Sequence, residues 1–374
     1  MGRQKSDGNG PKGGISRRKL VTGLGLGGVA AAIGLGMRPL GNQYYQGPLS
    51  DHFDGTVFFN PGGRPPRGLG SFLKWQLMTR GEAWPASFPS PLVGELAERP
   101  RELPPGTQMR VTALGHASFL IETAGANLLV DPVLSERASP VSFAGPLRVN
   151  PPALSFETLP RINAVLVSHN HYDHMDITTL RRLADRDNPR FIVPLGNDTI
   201  LKSEGGIEGA LALDWDQRTT LPGGGAGAAL EIDVVPTHHW SARGTRDRRH
   251  ALWASFVISN GSATVYAVGD TGFGDGRTFR HVGSRHPIID LALLPIGAYA
   301  PRWFMSEQHM DPHEAVRAFK LSGAKRALGH HWGTFKLTNE AIDEPPRVLA
   351  AARSALGIDD DQFVAAQPGL WTVA

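Results

Sequence analysis

Cysteine is absent from this 374-residue chain. No disulfide can form, no lipidated cysteine can anchor the chain, and any metal site must be built from nitrogen and oxygen ligands. A strong charge of one sign is also lacking: 38 Lys and Arg stand against 35 Asp and Glu, a net charge of +3. Much of the positive charge sits in the first 20 residues, so no nucleic-acid-binding surface is read from it. There are no recognisable internal repeats. With 41% hydrophobic and 20% charged residues, the composition is that of an ordinary globular protein, long enough for one large domain plus an extension.

What the chain does have is histidine in clusters. Ser168-His169-Asn170-His171-Tyr172-Asp173-His174 follows the apolar run Ala164–Val167, which reads as a fully buried strand. Three imidazoles and one carboxylate this close cannot be buried without partners. A divalent metal is the natural partner, and the strand before the motif argues against a solvated His-rich loop. The motif offers two pairs, His169 with His171 and Asp173 with His174, which suggests two ions rather than one. Paired ions about 3.5–4 Å apart clamp the attacking and leaving oxygens of a displacement.

Further ligands are expected at three later strand ends. A strand over Thr264–Val268 runs to Asp270, placed to bridge two ions. Val234-Val235 leads to His238 and His239, and Arg326–Gly329 leads to His330 and His331. Taken singly, each of these could be a structural histidine or a capping carboxylate. Together with the first motif they read as one cleft.

The order of these motifs resembles the metallo-β-lactamase fold, and within it the N-acylphosphatidylethanolamine-hydrolysing phospholipases D and their bacterial relatives. The resemblance runs from about Met109 to about Leu337. It includes Gly115-His116-Ala117-Ser118, Val130-Asp131-Pro132, Arg137–Pro140, Ser168 to Asp176, Gly269 to Gly272 and Pro295–Tyr299. Pro301-Arg302-Trp303-Phe304-Met305, Gln308-His309 with Asp311-Pro312, and His331-Trp332-Gly333-Thr334-Phe335 complete it. The Arg-Trp-Phe-Met and His-Trp-Gly-Thr-Phe strings are the most specific part.

The resemblance implies an αββα four-layer sandwich of the α+β class and two zinc ions per chain. It implies that His169, His171 and His239 bind the first zinc, that Asp173, His174 and His331 bind the second, and that Asp270 bridges both. His239 and His331 are preferred to His238 and His330 because the family ligand directly precedes a tryptophan; His238 and His330 become supporting or packing residues. Gln308 and His309 match a pair beside the metals that can touch a substrate phosphate. Asp173 or His309 assists proton movement. His116 and Asp131 look like positions that orient metal-bound imidazoles.

The implied activity is a phosphodiesterase of phospholipase D type, releasing an N-acylethanolamine and phosphatidic acid through a metal-bridging hydroxide. Zinc lowers the pKa of bound water from 15.7 to about 7. The alternative is a lactonase or small-phosphodiester hydrolase of the same fold. A non-catalytic metal-binding protein fits less well, because the ligand set is complete. The implied partner is a phospholipid or another phosphodiester, with peripheral membrane contact and no nucleic acid. The oligomeric state stays open, a homodimer included.

Residues 1–38 read as a separate segment. Twin arginines, Arg17 and Arg18, precede a mildly apolar stretch over Leu20–Gly36, as in a twin-arginine export signal. The expectation is a periplasmic protein, or one peripheral to the inner membrane. A retained short anchor is the alternative, although the stretch falls short of the roughly 20 apolar residues a span requires. Residues 39–108 form a Pro- and aromatic-rich arm, with one short helix expected over Phe72–Met78. It either packs across the fold or forms an apolar lip that docks on a bilayer or holds acyl chains, with Arg64, Arg67, Lys74 and Arg80 interleaved.

Residues 109–374 form the catalytic domain, alternating strands and helices. Strands are expected near 110–114, 118–123, 127–131, 163–167, 190–194, 230–235, 252–258, 263–268, 290–294 and 325–329. Asp176 and Asp311 are candidate helix N-caps. The basic loop Arg243–His250 could hold a lipid phosphate or be an ordinary solvated loop.

Overall fold

A computed structural model describes residues 41–96, 102–103, 107–223 and 229–374. The expected export segment, residues 1–38, lies outside the described residues. Among the described residues no helix is long and apolar enough to cross a membrane.

Two seven-stranded mixed sheets form the middle layers. The first holds β1 (Met109–Gly115), β2 (Ser118–Thr123), β3 (Asn127–Val130), β4 (Ala164–Leu166), β5 (Arg190–Pro194) and β6 (Leu211–Leu213), with β14 (Trp371–Val373) outside β1. The second runs from β7 (Arg218–Leu221) through β8 (Leu230–Val235), β9 (Ser255–Ser259), β10 (Thr264–Ala267), β11 (Leu291–Pro295) and β12 (Arg326–His330) to β13 (Phe363–Ala365). All ten expected strands are present. The four that the pattern does not reveal, β6, β7, β13 and β14, are only three or four residues long.

The period of two in the strands builds the layers. Phe119, Ile121, Leu128, Val130, Ala164 and Leu166 point inward and meet Ile232, Val234, Phe256, Val265, Leu291 and Leu293 of the second sheet. Their neighbours point outward. Leu120, Leu129, Val165 and Val193 pack under α3 (Ile177–Asp187) and α4 (Asn197–Gly205) through Leu180, Leu183, Ile200 and Leu201. Tyr266, Ala292 and Leu294 pack under α5 (Arg277–Arg285), α7 (Pro312–Ser322) and α8 (Glu344–Leu356). Both sheets are buried on two faces, which explains why their strands are nearly continuous apolar runs. The result is the expected αββα sandwich.

Two helix starts lock loops to the site end. Asp176 caps α3, accepting from the Thr178 and Thr179 amides, and its second oxygen accepts from the Leu134 and Ser135 amides. Asp311 caps α7 in a reciprocal capping box with Glu314. Arg302 of α6 (Arg302–Met305) donates to Glu314 and to the His309 carbonyl.

The arm lies on the sandwich. Phe53 and Phe58 pack on Leu252 and Trp253. Helix α1 (Leu69–Met78) begins three residues before the expected start and stacks Trp75 on Phe304 at 5.0 Å. The short helix α2 (Leu92–Glu95) follows it.

Candidate metal centre

The pairing of the strands brings the C-terminal ends of β3, β4, β8, β10 and β12 to one end of the sandwich. Asp131, the 168–174 motif, His239, Asp270 and His331 follow those ends, and His116 sits on the β1–β2 turn. Three of these residues hold backbone that L side chains rarely adopt: φ is 54° at His116, 42° at Asp131 and 67° at His331. Strain of this kind is tolerated where the surrounding structure over-determines the position.

The cluster forms two groups that share Asp270. His169, His171, His239 and Asp270 present ligand-type atoms within 4.8 Å of one another, as do His116, Asp173, His174 and His331. In the first group His169 Nε2 lies 2.9 Å from His171 Nδ1, and His239 Nε2 lies 3.3 Å from the same atom. In the second, His331 Nε2 lies 3.2 Å from Asp173 Oδ2 and 3.0 Å from Asp270 Oδ1, and His174 Nε2 lies 3.3 Å from Asp270 Oδ2.

The far side of three imidazoles, those of His239, His174 and His169, is fixed by a neighbour. His239 Nδ1 donates to the Gln308 carbonyl at 2.9 Å. His174 Nδ1 donates to Asp131 Oδ2 at 2.7 Å, while Asp131 also accepts from the Ser168 amide and hydroxyl. His169 Nδ1 lies 2.9 Å from that hydroxyl. With the proton held on the outer nitrogen, a bare lone pair on the inner nitrogen faces the cluster. His174 Nε2, His331 Nε2 and Asp270 Oδ1 are buried without a hydrogen-bond partner. Converging lone pairs and orphaned buried oxygens and nitrogens are what a cation site requires, and the all N and O set suits zinc and similar divalent ions.

The electrostatics of the two groups differ. Burial drives the first group neutral: His169 is held well below the usual imidazole value, His171 is lowered to about 4 and His239 to about 3. In the second group burial also opposes charge, but Asp270 and Asp173 push His331 up to about 9 and His174 well above its usual value. Both aspartates, despite burial, are held far below the usual carboxylate range by the surrounding imidazoles.

All nine residues singled out from the sequence as ligands or catalytic groups converge here. Gln308 is buried, and His309 Nδ1 lies 3.9 Å from Asp270 Oδ2; both line the cavity above the cluster. Asp131 orients an imidazole, as expected. His116 does not: its Nε2 bonds to Asp173 Oδ2 at 3.0 Å, so it orients a carboxylate and joins the second group itself. His330 bonds to the Val268 carbonyl and packs on Phe119, a packing role.

The basic loop is mostly committed to its own fold. Asp247 accepts from the Arg243 and Gly244 amides, and Arg243 donates to Glu204 and to the Asn170 and Met175 carbonyls. Arg248 stacks on Trp240, at 4.5 Å, and lines the cavity together with Arg243.

That cavity, about 260 Å³, opens directly above Asp173 and Asp270. Its walls are mostly apolar: Leu69, Phe72 and Trp75 from the arm face Trp240, Phe304 and Met305. Arg67, Arg243 and Arg248 are its cationic lining, and the Nε atoms of Arg67 and Arg248 are buried without a partner. Of the two readings of the arm, packing across the fold or an apolar lip, the structure shows both at once: it packs on the sandwich and lends Leu69, Phe72 and Trp75 to this wall.

Residues 126–332 match the Beta-lactamase superfamily domain. The chain belongs to the metallo-β-lactamase superfamily. Within it, the chain is a metal-dependent hydrolase homologous to an N-acyl-phosphatidylethanolamine-hydrolyzing phospholipase D of Caenorhabditis elegans, 38% identical over 269 residues, which cover 70% of this chain and 74% of that one. A metal-dependent hydrolase of Pyrobaculum aerophilum is 29% identical over 66% of this chain and 94% of its own. Among solved structures, a diiron beta-hydroxylase from Streptomyces venezuelae shares the fold, with a TM-score of 0.52 and 20% identity over 73% of this chain and 55% of that one.

Proposed function

We propose that the chain is a two-zinc phosphodiesterase of phospholipase D type. In this reading it cleaves N-acylphosphatidylethanolamine-like lipids to an N-acylethanolamine and phosphatidic acid. The observation that carries the reading is the pair of ligand groups joined at Asp270 beneath an apolar cavity with two guanidiniums in its wall, Arg67 and Arg248, whose Nε atoms have no partner. A phosphodiester with acyl chains needs all three features: cations at phosphorus, apolar walls for chains, and positive charge for a spreading anion. The homology to a lipid-cleaving enzyme points the same way.

His169, His171 and His239 would hold one zinc, Asp173, His174 and His331 the other, with Asp270 between them. Zinc bound there supplies Lewis acidity, which acidifies a water and neutralises charge on the phosphoryl oxygens. The chain's own residues do the rest. Asp131, Ser168 and the Gln308 carbonyl fix imidazole orientation. Burial keeps His309 largely neutral at pH 7, its pKa lowered to about 3, and it lies beside Asp173 and Asp270 at the cavity floor. Asp173 and His309 are the groups at which a proton is held or moved. In the balanced reaction the water oxygen joins phosphorus, the bond from phosphorus to the ethanolamide oxygen breaks, and that oxygen takes the proton.

The apolar rim suits a membrane. Leu73, Leu77 and Met78 of α1 and Phe143 are exposed at 46%, 82%, 73% and 82%. Lys74 lies over the Trp303 ring at 5.3 Å. We read this edge as the face that meets a bilayer, on the periplasmic side if residues 1–38 direct export. Leu77→Asp with Met78→Asp is expected to abolish co-sedimentation with anionic vesicles; unchanged binding would exclude this face.

The deciding experiment is mass spectrometry of products from zinc-loaded protein on N-acylphosphatidylethanolamine vesicles, beside Asp270→Asn. N-acylethanolamine and phosphatidic acid, absent in the variant, establish reaction and site. Two zinc ions bound with no turnover would favour a lactone or a small phosphodiester instead.

A further inference from the structure

The arm reaches the ligand loop itself through one side chain. Asn60 Nδ2 donates to the His239 carbonyl at 2.8 Å, across 179 residues of sequence. Trp253 Nε1 donates to Asn60 Oδ1 at 3.0 Å and to the Thr237 carbonyl at 3.1 Å. The chemistry fixes the orientation of the amide. Indole can only donate and the carbonyl can only accept, so Oδ1 must face Trp253 and Nδ2 must face His239. His239 is thereby held from two sides, its main chain by Asn60 and its ring by Gln308.

The contact is part of a docked segment. Phe58 donates its amide to the Arg249 carbonyl at 2.8 Å. His52 bridges Asp51 and Asp214 at 2.6 and 2.8 Å while stacked on Trp215. At Gly63 a Cβ would fall 2.6 Å from His238 Cε1, so the arm backbone runs against the residue next to the ligand and leaves no room for a side chain.

We propose that Asn60 is a positioning residue for the first metal group, so that docking of residues 42–63 and cation binding at His169, His171, His239 and Asp270 stabilise each other. This rests on the two-zinc reading above. A carbonyl released from Asn60 lets the 237–240 loop turn, and with it the imidazole that must meet the other two within a few tenths of an ångström. By linkage the effect is reciprocal: whatever the docked arm adds to cation affinity, the bound cation adds to arm docking.

The test uses the full chain and measures zinc binding by chelator competition, with the absorption spectrum of the cobalt-loaded protein as a second readout. Asn60→Asp keeps an acceptor for Trp253 and replaces the donor to His239 by an acceptor oxygen, which cannot bond to that carbonyl. Asn60→Ala removes both. Trp75→Ala loosens the arm elsewhere and serves as the control. The expected result is about a tenfold loss of affinity for one of two zinc ions in Asn60→Asp, the lower end of what loss of a supporting partner costs. The cobalt spectrum should change in the same variant, the second zinc should bind as before, and Trp75→Ala should match the parent. Two zinc ions bound with parental affinity in Asn60→Asp overturn the proposal. So does an equal loss in Trp75→Ala, which would make the effect one of general arm stability. A parent protein that binds no zinc removes the two-zinc reading and this inference with it.

Discussion

The sandwich and the arm are held by different means. Residues 109–374 bury apolar side chains on both faces of two sheets. Residues 41–96 fully bury only Phe53, Phe58, Trp75 and Leu96 among their described apolar side chains. The arm is instead tied down by polar contacts at separate points: Tyr44 to Asp247, His52 to Asp214, Asn60 to His239, Trp75 to Asn339, Trp84 to the Glu340 carbonyl. Each such contact is worth only about 0.5–1.5 kcal/mol net. The difference separates two jobs. The sandwich supplies every metal-ligand candidate, and the arm supplies one wall of the cavity above them.

The sharpest way to break this division is in the core. Leu166→Ala, fully buried between the sheets, should cost about 2–5 kcal/mol. Leu77→Ala on the outer face of α1 should change stability by less than about 0.5 kcal/mol. Denaturant unfolding of both variants measures the contrast, and similar losses would mean the arm is as integral as the sheets.

Next in size is Asp131→Ala. It removes the acceptor of His174 and of Ser168, and should weaken one zinc by about 10–100-fold with the fold retained. Chelator competition checks it, and undiminished affinity would show that Asp131 serves only the 168 turn.

Trp75→Ala should act on the cavity wall and on the arm's tether to Asn339, leaving the metal groups untouched. We expect KM for a long-chain substrate to rise severalfold while kcat and zinc content stay near the parent. A fall in kcat with KM constant would place the arm in the chemistry rather than in binding.

The smallest effect expected is a pH dependence at His52. Burial lowers its pKa, but Asp214 and Asp51 outweigh burial and leave it above the usual imidazole value. The folded form therefore binds the proton more tightly than the unfolded chain. The stabilisation is fully present below about pH 6.5, the unfolded value, and is lost as pH rises through the folded one. Arm proteolysis should accelerate over that range in the parent and not in His52→Gln. Acceleration of equal size in the variant would assign it to another group.

Much of this was legible from residues alone, for physical reasons. Strands buried on both faces are dense apolar runs, so the ten strands that lie in such runs were visible. A metal group concentrates histidine and aspartate at strand ends, so its members were visible too. The short strands β6 and β7 are partly exposed; β6 is only three residues long, and β7 carries Arg218 and Thr219 in place of an apolar run. Asn60 and Arg67 act across long stretches of sequence and leave no periodic trace. His116 was assigned to an imidazole and found on Asp173 because a turn residue at φ 54° points where backbone geometry, rather than pattern, directs it. The loop at Arg243 was basic for a structural reason: Asp247 folds it back and Glu204 takes up its charge.

The segment from Phe363 to Val373 supplies an outer strand to both sheets, β13 beside β12 and β14 beside β1. During synthesis, β1 emerges some 250 residues before its outer partner. Until then a row of amides and carbonyls on β1 stays open, next to a freshly made apolar surface. A nascent chain in that state is exposed to wrong pairing with its neighbours on the same message. Slowing translation just before codon 363 should therefore raise aggregation.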